Sequence, residues 1–428
     1  MAGRRAGVWW HQQLVGLLGE DERGLMQFAY TPDWLQQSGF PVSLSLPVSA
    51  GDQLQQAHSF FAGLLPEGGT RLRICRSQGI SINDDMGLLL AIGEDCAGAL
   101  TILPADKQPE TDKQPPAALD ADDIGRIIRQ HGQNVMQLTG KSQRFSLAGA
   151  QDKLPVRIDA GNYSLASSAW PSTHILKFET IKQVCFAESM ANRLAQALDL
   201  PVVETRYLSS PPLNKNDEET PYLLIQRYDR QQDQNGHIRR LHQEDALQAL
   251  GEPASLKYQS DGGPSFAEVV QLVREYADRP AVAIARLRDW QIFNYLCGNW
   301  DGHAKNISFY YPLGESTPAL APFYDLVAIE FLNQTSGANY TREMALYVGE
   351  QSSPDKIGKE DWEHFAAQIG IPVRPLMQRL AEIAERIPMA CESSLEAFSR
   401  KHAVTPAQEA LQITIQKRSR WLLQSVLR

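Results

Sequence analysis

G-N-W-D-G-H-A-K-N-I-S-F, residues 298–309, brings four polar side chains of different chemistry into six consecutive positions. An apolar run with helical spacing precedes them, and Gly298 is a typical residue for ending that helix. A second apolar run with the composition of a strand follows them. A carboxylate, an imidazole, an ammonium and an amide placed together at the edge of a core indicate a chemical site, and they belong to Asp301, His303, Lys305 and Asn306.

The segments after this stretch predict a β-hairpin. I-S-F-Y-Y is followed by the turn residues P-L-G-E-S-T-P and by a second strand-like segment, A-L-A-P-F, so the turn should centre near residue 315. Asn306 and Asp325 are about equally distant from that centre and should lie roughly opposite each other, about 4.5–5.5 Å apart. An amide oxygen and a carboxylate at that spacing suit Mg²⁺, which takes few protein ligands together with water and phosphate oxygens.

The spacing of Asp301 and Asn306 is that of the catalytic loop of protein kinases. There the Asp accepts the proton of the substrate hydroxyl and the Asn holds a metal. Lys305 beside them would neutralise the charge that builds on a transferred phosphoryl group. These roles together predict phosphoryl transfer. Taken alone, D-G-H-A-K-N is equally typical of a polar turn whose Asp and Asn cap the backbone.

A loop rich in small residues lies upstream, in R-F-S-L-A-G-A-Q-D-K-L-P-V from Arg144. Ala148, Gly149 and Ala150 come just before a predicted strand, so the backbone there could approach a phosphate closely. The loop has one glycine and matches neither of the common glycine-rich nucleotide motifs. It is therefore a weak nucleotide-binding signal by itself.

Lys177 and Glu188 complete a set of residues in kinase order. Lys177 ends the apolar strand T-H-I-L-K-F, a position that is also typical of an edge or surface lysine. Glu188 follows eleven residues later on an amphipathic helix and is well placed to pair with it. A strand Lys, a helix Glu, a loop Asp, a metal Asn and a metal Asp, in that order, are the parts of a kinase.

Composition limits the class of protein. The chain has 428 residues, of which 43% are hydrophobic, so two or three domains with their own cores are expected. The net charge of −9 argues against a chain that coats nucleic acid by itself. Direct DNA binding would need a local basic patch or a basic partner.

The sequence also favours a cytoplasmic protein. Its longest apolar run, M-G-L-L-L-A-I-G from Met86, is far too short to span a bilayer, and the N-terminal residues lack a signal-peptide pattern. The five cysteines are far apart and have no histidines beside them, so buried thiols in a reducing compartment are expected.

Strands dominate the first half of the chain and helices the second half. Q-L-V-G-L-L and L-M-Q-F-A-Y predict an N-terminal hairpin, and K-L-P-V-R-I, H-I-L-K-F and P-Y-L-L-I-Q-R-Y predict later strands. Phe186, Met190, Leu194 and Leu198 form one stripe of an amphipathic helix, and a helix is also expected over residues 123–137. This order favours an α+β fold with two lobes behind a smaller N-terminal domain.

The sequence resembles the HipA family of serine/threonine kinases, the toxin halves of bacterial toxin–antitoxin pairs. The resemblance covers nearly the whole chain and is carried by distinctive strings in a fixed order. These strings are S-L-S-L-P, F-A-G-L-L-P-E-G-G-T-R, A-I-G-E-D-C-A-G-A-L, S-L-A-G-A-Q-D-K, T-H-I-L-K, Q-R-Y-D-R, L-H-Q-E-D-A-L-Q-A-L-G, K-Y-Q-S-D-G-G-P, D-G-H-A-K-N and F-Y-D-L.

The resemblance implies a two-lobed, protein-kinase-like α+β fold with an attached N-terminal subdomain. We expect the subdomain in residues 1–105, a linker with a doubled D-K-Q-P string in 106–120, the kinase N-lobe in 121–240 and a helical C-lobe in 241–428.

The resemblance also assigns roles to residues. It implies Asp301 as catalytic base, Asn306 and Asp325 as Mg²⁺ ligands, and Lys177 as the phosphate-binding lysine. The remaining residues implied at ATP are the nucleotide loop Ala148, Gly149, Ala150, Gln151, Asp152 and Lys153, the hinge Gln226, Arg227 and Tyr228, and also His303, Lys305 and Tyr324.

Family members phosphorylate glutamyl-tRNA synthetase and are restrained by a small HipB-type helix-turn-helix antitoxin, with which they repress their own operon at operator DNA. The resemblance implies these partners here, although kinases of similar sequence can differ in target. It also implies autophosphorylation of Ser146, which would place about two negative charges where ATP phosphates bind. A loop serine with a local backbone hydrogen bond is the alternative for Ser146.

Two other functions stay open from the sequence. One is a catalytically silent corepressor that only scaffolds a DNA-bound complex, although a scaffold has no need of metal ligands. The other is a small-molecule kinase, which uses similar catalytic parts.

Overall fold

The computed structural model describes residues 3–37, 39–110, 116–132, 152–210, 218–234 and 236–426. The chain forms two compact units. The first comprises Met1–Thr180, Leu208–Ser255 and Phe309–Pro318, and the second comprises Ile181–Tyr207, Leu256–Ser308 and Ala319–Arg428. Each unit combines three stretches that are distant in sequence, whereas the sequence predicted four continuous ranges. Those four predicted ranges therefore stay a prediction.

A five-stranded antiparallel sheet forms the start of the first unit. The predicted N-terminal hairpin is confirmed, since Leu18 pairs with Phe28 across its two strands. Three helices, His58–Gly63, Gly68–Gln78 and Asp85–Ile92, contribute buried side chains to the same apolar core. The strand order is Gln55–Gln56, Met26–Tyr30, Gln13–Glu20, Arg5–Trp10 and Leu100–Pro104.

A six-stranded sheet forms the rest of the first unit's framework. Helix Ala121–Arg129 packs Ile124, Ile127 and Ile128 against it. The predicted helix over residues 123–137 is confirmed up to Arg129, and its last part, residues 133–137, lies outside the described residues. The three strands predicted in this region are confirmed. The strand order is Thr205–Ser210, Thr220–Gln226, His174–Phe178, Lys153–Asp159, Asn162–Leu165 and Ala118–Leu119.

Short elements complete the first unit. Strands Arg230–Gln232 and Ile238–Arg240 pair with each other. The Tyr311 main-chain amide donates a hydrogen bond to the His242 main-chain carbonyl. The other short elements are helices Pro32–Gln36 and Ala246–Leu250, the 3₁₀ turn Val48–Ala50, and strands Gln243–Asp245 and Ser308–Tyr310, the last of which begins in the second unit.

A buried ionic network joins the N-terminal segment of the first unit to residues that follow its second sheet. Asp95 is fully buried and lies 2.9 Å from Arg230 and 3.0 Å from Arg240. Arg227 and Arg230 both also bind Asp229, at 2.6 and 2.8 Å. Burial by itself would raise the pKa of the Asp95 carboxyl, but the three arginines outweigh it and hold that pKa at about 2.

A second buried contact joins two of the distinctive strings. Glu244 accepts from the Ser43 hydroxyl at 2.5 Å and from the Leu44 main-chain amide at 2.9 Å. The Ser45 hydroxyl donates to the Gln248 carbonyl at 2.8 Å. S-L-S-L-P and L-H-Q-E-D-A-L-Q-A-L-G are therefore two sides of one internal contact.

Helices make up most of the second unit. The predicted stripe is confirmed, because Phe186, Met190, Leu194 and Leu198 are all buried. The helices are Val184–Ala197, Phe266–Tyr276, Pro280–Cys297, Ile329–Thr335, Lys359–Gln368, Val373–Ser399 and Pro406–Trp421. The other elements are the 3₁₀ turns Gln259–Asp261 and Ala304–Asn306, the strand Ala319–Leu320 and the π-helical turn Leu422–Val426. Among the helices in the described ranges, none is long and apolar enough to cross a membrane.

Glu244 predicts a specific pH dependence of stability. Burial raises the pKa of its carboxyl from 4.5 to about 8, so the folded chain binds this proton more tightly than the unfolded chain. The stabilisation is complete below pH 4.5 and is lost as the pH rises through about 8. Glu244→Gln keeps a neutral side chain of the same shape at every pH. Between pH 4.5 and about 8, the unfolding temperature of this variant should therefore fall by several degrees less than that of the parent.

Thermal unfolding at a series of pH values measures this difference. Glu409→Gln, which changes an exposed glutamate on the last helix, should follow the parent. Parallel curves for the parent and Glu244→Gln would contradict the assignment.

Candidate active site

The helix Pro280–Cys297 leads directly into the polar stretch and positions it. Its apolar face, with Leu287, Trp290 and Phe293, is fully buried and fixes the helix in the core. The helix ends at Gly298, as predicted, where a φ of 75° turns the chain into the left-handed conformation that glycine adopts without strain. The Asn299 main-chain amide then donates back to the Asn294 carbonyl at 2.9 Å. The loop that follows therefore starts from a rigid support.

Asp301 is exposed, and its main-chain carbonyl and its carboxylate are held by different partners. Its main-chain carbonyl accepts from the His303 amide at 2.9 Å and from the Asn306 side-chain Nδ2 at 3.0 Å. Its side-chain Oδ1 accepts from the Tyr258 hydroxyl at 2.8 Å. The carboxylate is thus oriented while it stays open to solvent.

The turn Ala304–Asn306 buries three of the four polar side chains of the stretch. His303, Lys305 and Asn306 are each less than one-tenth exposed. A carbonyl oxygen can only accept, so the contact with Asp301 fixes Asn306 with Nδ2 toward it and Oδ1 directed away. Oδ1 is the atom that a metal ion would bind.

Tyr324 connects the turn to the hairpin. Its hydroxyl lies 2.8 Å from the Lys305 carbonyl and 2.6 Å from the Ser308 hydroxyl. Since the carbonyl can only accept, Tyr324 donates to Lys305 and accepts from Ser308. The hydroxyl of Tyr324 therefore positions the turn, and its predicted contact with ATP stays a prediction.

The predicted hairpin is confirmed, but its register differs from the prediction. The Ala321 amide donates to the Ser308 carbonyl at 2.8 Å, which centres the turn between residues 314 and 315. Continued along the strands, this pairing would place Phe323 opposite Asn306. Asp325 comes two residues later, half-buried, with a left-handed φ of 58°. The relation of Asn306 to Asp325 thus depends on a 3₁₀ turn and a left-handed residue, and their shared metal stays a prediction.

Phe323 anchors the strand that leads to Asp325. Its amide donates to the Pro201 carbonyl at 2.8 Å, and its carbonyl accepts from the Val203 amide at 3.0 Å. Its ring stacks on Trp290 at 5.8 Å, which connects this strand to the helix that delivers Asp301. Both predicted metal ligands are therefore supported from the same helix.

Two lysines meet in the first unit. Lys153 and Lys177 are directly paired across strands Lys153–Asp159 and His174–Phe178, so both side chains leave the same face of the sheet. Lys177 is buried. Two ammonium groups on one face can bind the phosphates of a nucleotide. Glu188 is buried one turn into helix Val184–Ala197 of the second unit, and its pairing with Lys177 stays a prediction.

The described end of the predicted nucleotide loop is bound by the N-terminal segment. Asp152 accepts from the Thr70 hydroxyl at 2.6 Å and pairs with Arg73, both on helix Gly68–Gln78. Apart from Lys153, the other members of the predicted loop lie outside the described residues, and so does the predicted phosphorylation site. They are Ala148, Gly149, Ala150, Gln151 and Ser146.

The predicted hinge has three different environments. Gln226 is exposed at the end of its strand, and the Tyr228 hydroxyl donates to Gln243. The Arg227 guanidinium is buried in the ionic network with Asp229, so a nucleotide contact of Arg227 would involve its main chain. The role of these three residues at adenine stays a prediction.

Tyr258 contacts the candidate site, although the sequence did not single it out. It lies in the string K-Y-Q-S-D-G-G-P, and besides its bond to Asp301 its ring packs edge-on against His303 at 5.6 Å. A separation of 43 positions from Asp301 gives no local signal of this contact. The distinctive string was the only indication.

Comparison with known proteins places the chain in a family. A model of the HipA N-terminal domain matches residues 6–103, and a model of the HipA-like C-terminal domain matches residues 145–391. The protein Y4mE of Sinorhizobium fredii is 35% identical over 408 residues, which cover 94% of this chain and 92% of the relative.

Two further similarities involve proteins of Shewanella oneidensis. Its serine/threonine-protein kinase toxin HipA is 29% identical over 374 residues, which cover 84% of this chain and 82% of the relative. A chain in a solved complex of the HipA and HipB toxin–antitoxin system with its operator DNA has a TM-score of 0.82 at 25% identity, covering 97% of this chain and 96% of that chain. The two-lobed α+β fold that was predicted is thereby confirmed, and the chain belongs to the HipA family of kinases.

Proposed function

We propose that the chain is an ATP- and Mg²⁺-dependent serine/threonine protein kinase and the toxin of a toxin–antitoxin pair. One observation supports the proposal most strongly. Asp301 is exposed, while Tyr258 holds one of its carboxylate oxygens and Asn306 holds its carbonyl. A loop built only as a polar turn would not need to orient an open carboxylate from a residue 43 positions away.

Asp301 serves as the proton acceptor in this proposal. Tyr258 occupies Oδ1, and no donor to Oδ2 is found among the residues that the structure describes. Oδ2 is therefore the oxygen that accepts the proton of a serine hydroxyl as that hydroxyl attacks the γ-phosphate. Tyr258 fixes the direction of this oxygen and acts as a positioning residue.

Asn306 and Asp325 are the residues that would hold Mg²⁺. The fit rests on donor chemistry, since the Asn306 Oδ1 is directed away from its own anchor and both residues offer the hard oxygen atoms that Mg²⁺ prefers. When bound, the metal would neutralise negative charge on the phosphates. The left-handed backbone of Asp325 is the kind of local strain that concentrates at functional sites.

Cationic side chains in each unit suit the triphosphate. Lys153 and Lys177 leave one face of the first unit's sheet, and Lys305 is buried in the catalytic turn of the second unit. His303 is buried in the same turn. We assign them to binding and orienting the phosphates.

The proposed partners follow from the family. The Shewanella oneidensis relative was solved as a complex with HipB and operator DNA, so we propose a HipB-type helix-turn-helix antitoxin here, through which the complex binds its operator. The net charge of −9 supports a basic partner for the DNA contacts. We propose glutamyl-tRNA synthetase as substrate and Ser146 as the site of inactivating autophosphorylation.

Asp301→Asn tests the proposal. Because it removes the proton acceptor and keeps the shape of the side chain, phosphate incorporation from radiolabelled ATP should fall by about 10²–10⁴-fold. The purified variant should unfold at the same temperature as the parent. Asp278→Asn, an exposed aspartate outside the loop, should incorporate phosphate normally. Unchanged incorporation in Asp301→Asn would refute the role of Asp301.

The same samples separate the competing functions. Loss of one phosphopeptide in Ser146→Ala would show that the site accepts a protein serine, which a small-molecule kinase or a silent scaffold would not do. An identical phosphopeptide map in Ser146→Ala and the parent would end the autophosphorylation proposal.

Tyr258→Phe tests the positioning of Asp301. The variant keeps the ring against His303 and loses only the hydroxyl that orients the carboxylate. We expect kcat to fall roughly tenfold with little change in the KM for ATP, because a hydrogen bond to a charged group contributes about 1.5–3 kcal/mol. Steady-state kinetics measures both constants.

Tyr276→Phe, on helix Phe266–Tyr276, is the matched control and should leave both constants unchanged. A Tyr258→Phe enzyme with parental kcat, or one in which only the KM rises, would show that the hydroxyl does not orient the base.

A further inference from the structure

A cavity of about 770 Å³ lies in the second unit, against the last long helix. Lys417, Arg418, Arg420 and Trp421 line it from helix Pro406–Trp421, and Arg342 lines it as well. This volume is within the usual range for sites that bind small organic molecules. None of these residues belongs to the catalytic set described above.

Arg418 in this cavity is a buried cation without a hydrogen-bonded acceptor among the described residues. It is 8% exposed, its Nε has no partner, and it donates no hydrogen bond to any residue in the described ranges. Its guanidinium lies 3.9 Å from Glu330 and 3.7 Å from Asp355, both too far for a hydrogen bond. A guanidinium has five N–H donors, so burial without acceptors is unfavourable.

Glu330 cannot satisfy Arg418 because its carboxylate is already occupied. It accepts from Trp300 Nε1 at 3.1 Å, from Arg342 Nε at 3.0 Å and from Gln334 Nε2 at 3.3 Å. Burial accordingly lowers the pKa of Arg418 from its ordinary value, despite the two nearby carboxylates. An acceptor in the cavity would therefore bind a side chain that has no hydrogen-bonded acceptor among the described residues and whose buried Nε has no partner.

The cavity combines excess positive charge with exposed apolar surface. Four cationic side chains line it and only two carboxylates, Glu330 and Asp355, oppose them. Ile413 and Trp421, which also line it, are 66% and 48% exposed, high values for such large apolar side chains. An anion with an apolar body would complement both properties.

We propose that this cavity binds a small organic anion in which a carboxylate or phosphate group is attached to an apolar ring. The anionic group pairs with Arg418, whose guanidinium donates two parallel N–H···O bonds to the oxygens of the anion. The ring lies against Trp421 and Ile413. Lys417 and Arg420, both exposed, attract the anion to the entrance.

The site is connected to the catalytic loop by direct contacts. The Arg418 guanidinium stacks on the Trp300 ring at 4.3 Å, and Trp300 immediately precedes Asp301. Trp300 also donates to Glu330, whose amide donates to the Gly298 carbonyl at 3.0 Å. A ligand that moves Arg418 therefore acts on the support of Asp301, while its binding does not depend on the proposed kinase activity.

Calorimetric titration of the full chain with 2-naphthoate and 2-naphthyl phosphate tests the proposal. At least one of these anions should bind saturably, and the neutral 2-naphthamide should not. Arg418→Met should weaken binding by roughly tenfold or more, because the bidentate partner is lost. Arg400→Met removes the same charge at an exposed position outside the cavity and should bind like the parent.

Trp421→Ala is an independent test if Arg418→Met folds poorly. Trp421 is half-exposed, so its removal should leave the fold intact. It should weaken binding of the anions several-fold at an unchanged unfolding temperature. Absence of saturable binding by both anions, or affinities that neither Arg418→Met nor Trp421→Ala changes, would overturn the proposal. Which of the two anions binds more tightly identifies the anionic group.

Discussion

The carbonyl oxygen of Asp301 accepts two hydrogen bonds, and the proposed catalytic loop depends on them. The first comes from the His303 main-chain amide and closes the turn. The second comes from the Asn306 side chain and gives the side-chain amide of Asn306 a single orientation. The same contact therefore fixes the proposed base and directs the Asn306 oxygen that we propose as a metal ligand. Tyr258 and Tyr324 add one hydroxyl on each side, on the Asp301 carboxylate and on the Lys305 carbonyl. The loop is thus positioned by hydrogen bonds to its main-chain carbonyls and by one hydroxyl on the Asp301 carboxylate.

The N-terminal segment is an integral part of the unit that carries the two proposed phosphate-binding lysines. Asp95 is buried among arginines from a segment more than 130 positions away, and Thr70 binds Asp152 at the end of the proposed nucleotide loop. Removing one partner of a buried ion pair typically costs about 3–5 kcal/mol, because the remaining charge stays buried. The segment therefore stabilises the framework from which Lys153 and Lys177 project.

Local patterns predicted much of this fold, and long-range contacts explain what they missed. The Phe186 stripe, the end of the helix at Gly298 and the centre of the hairpin all follow from spacing within a few residues. Strand pattern could not show that Asn306 lies in a 3₁₀ turn, so the register of the two predicted metal ligands was two residues away from the observed pairing. The hydrogen bond of Tyr258 to Asp301 and the absence of protein acceptors at Arg418 among the described residues have no local sequence signal, because both arise from packing between distant segments.

A crystal structure with Mg²⁺ and a non-hydrolysable ATP analogue tests the central claim most directly, namely that this loop and the end of the hairpin form one magnesium and phosphoryl-transfer site. The account predicts a metal bound by Asn306 Oδ1 and a carboxylate oxygen of Asp325, each at about 2.0–2.1 Å, with the remaining positions filled by phosphate and water oxygens. The Asp301 carboxylate should face the γ-phosphate with its hydrogen bond to Tyr258 intact. A nucleotide whose metal is held by other residues, with Asn306 still directed away from it, would contradict the account.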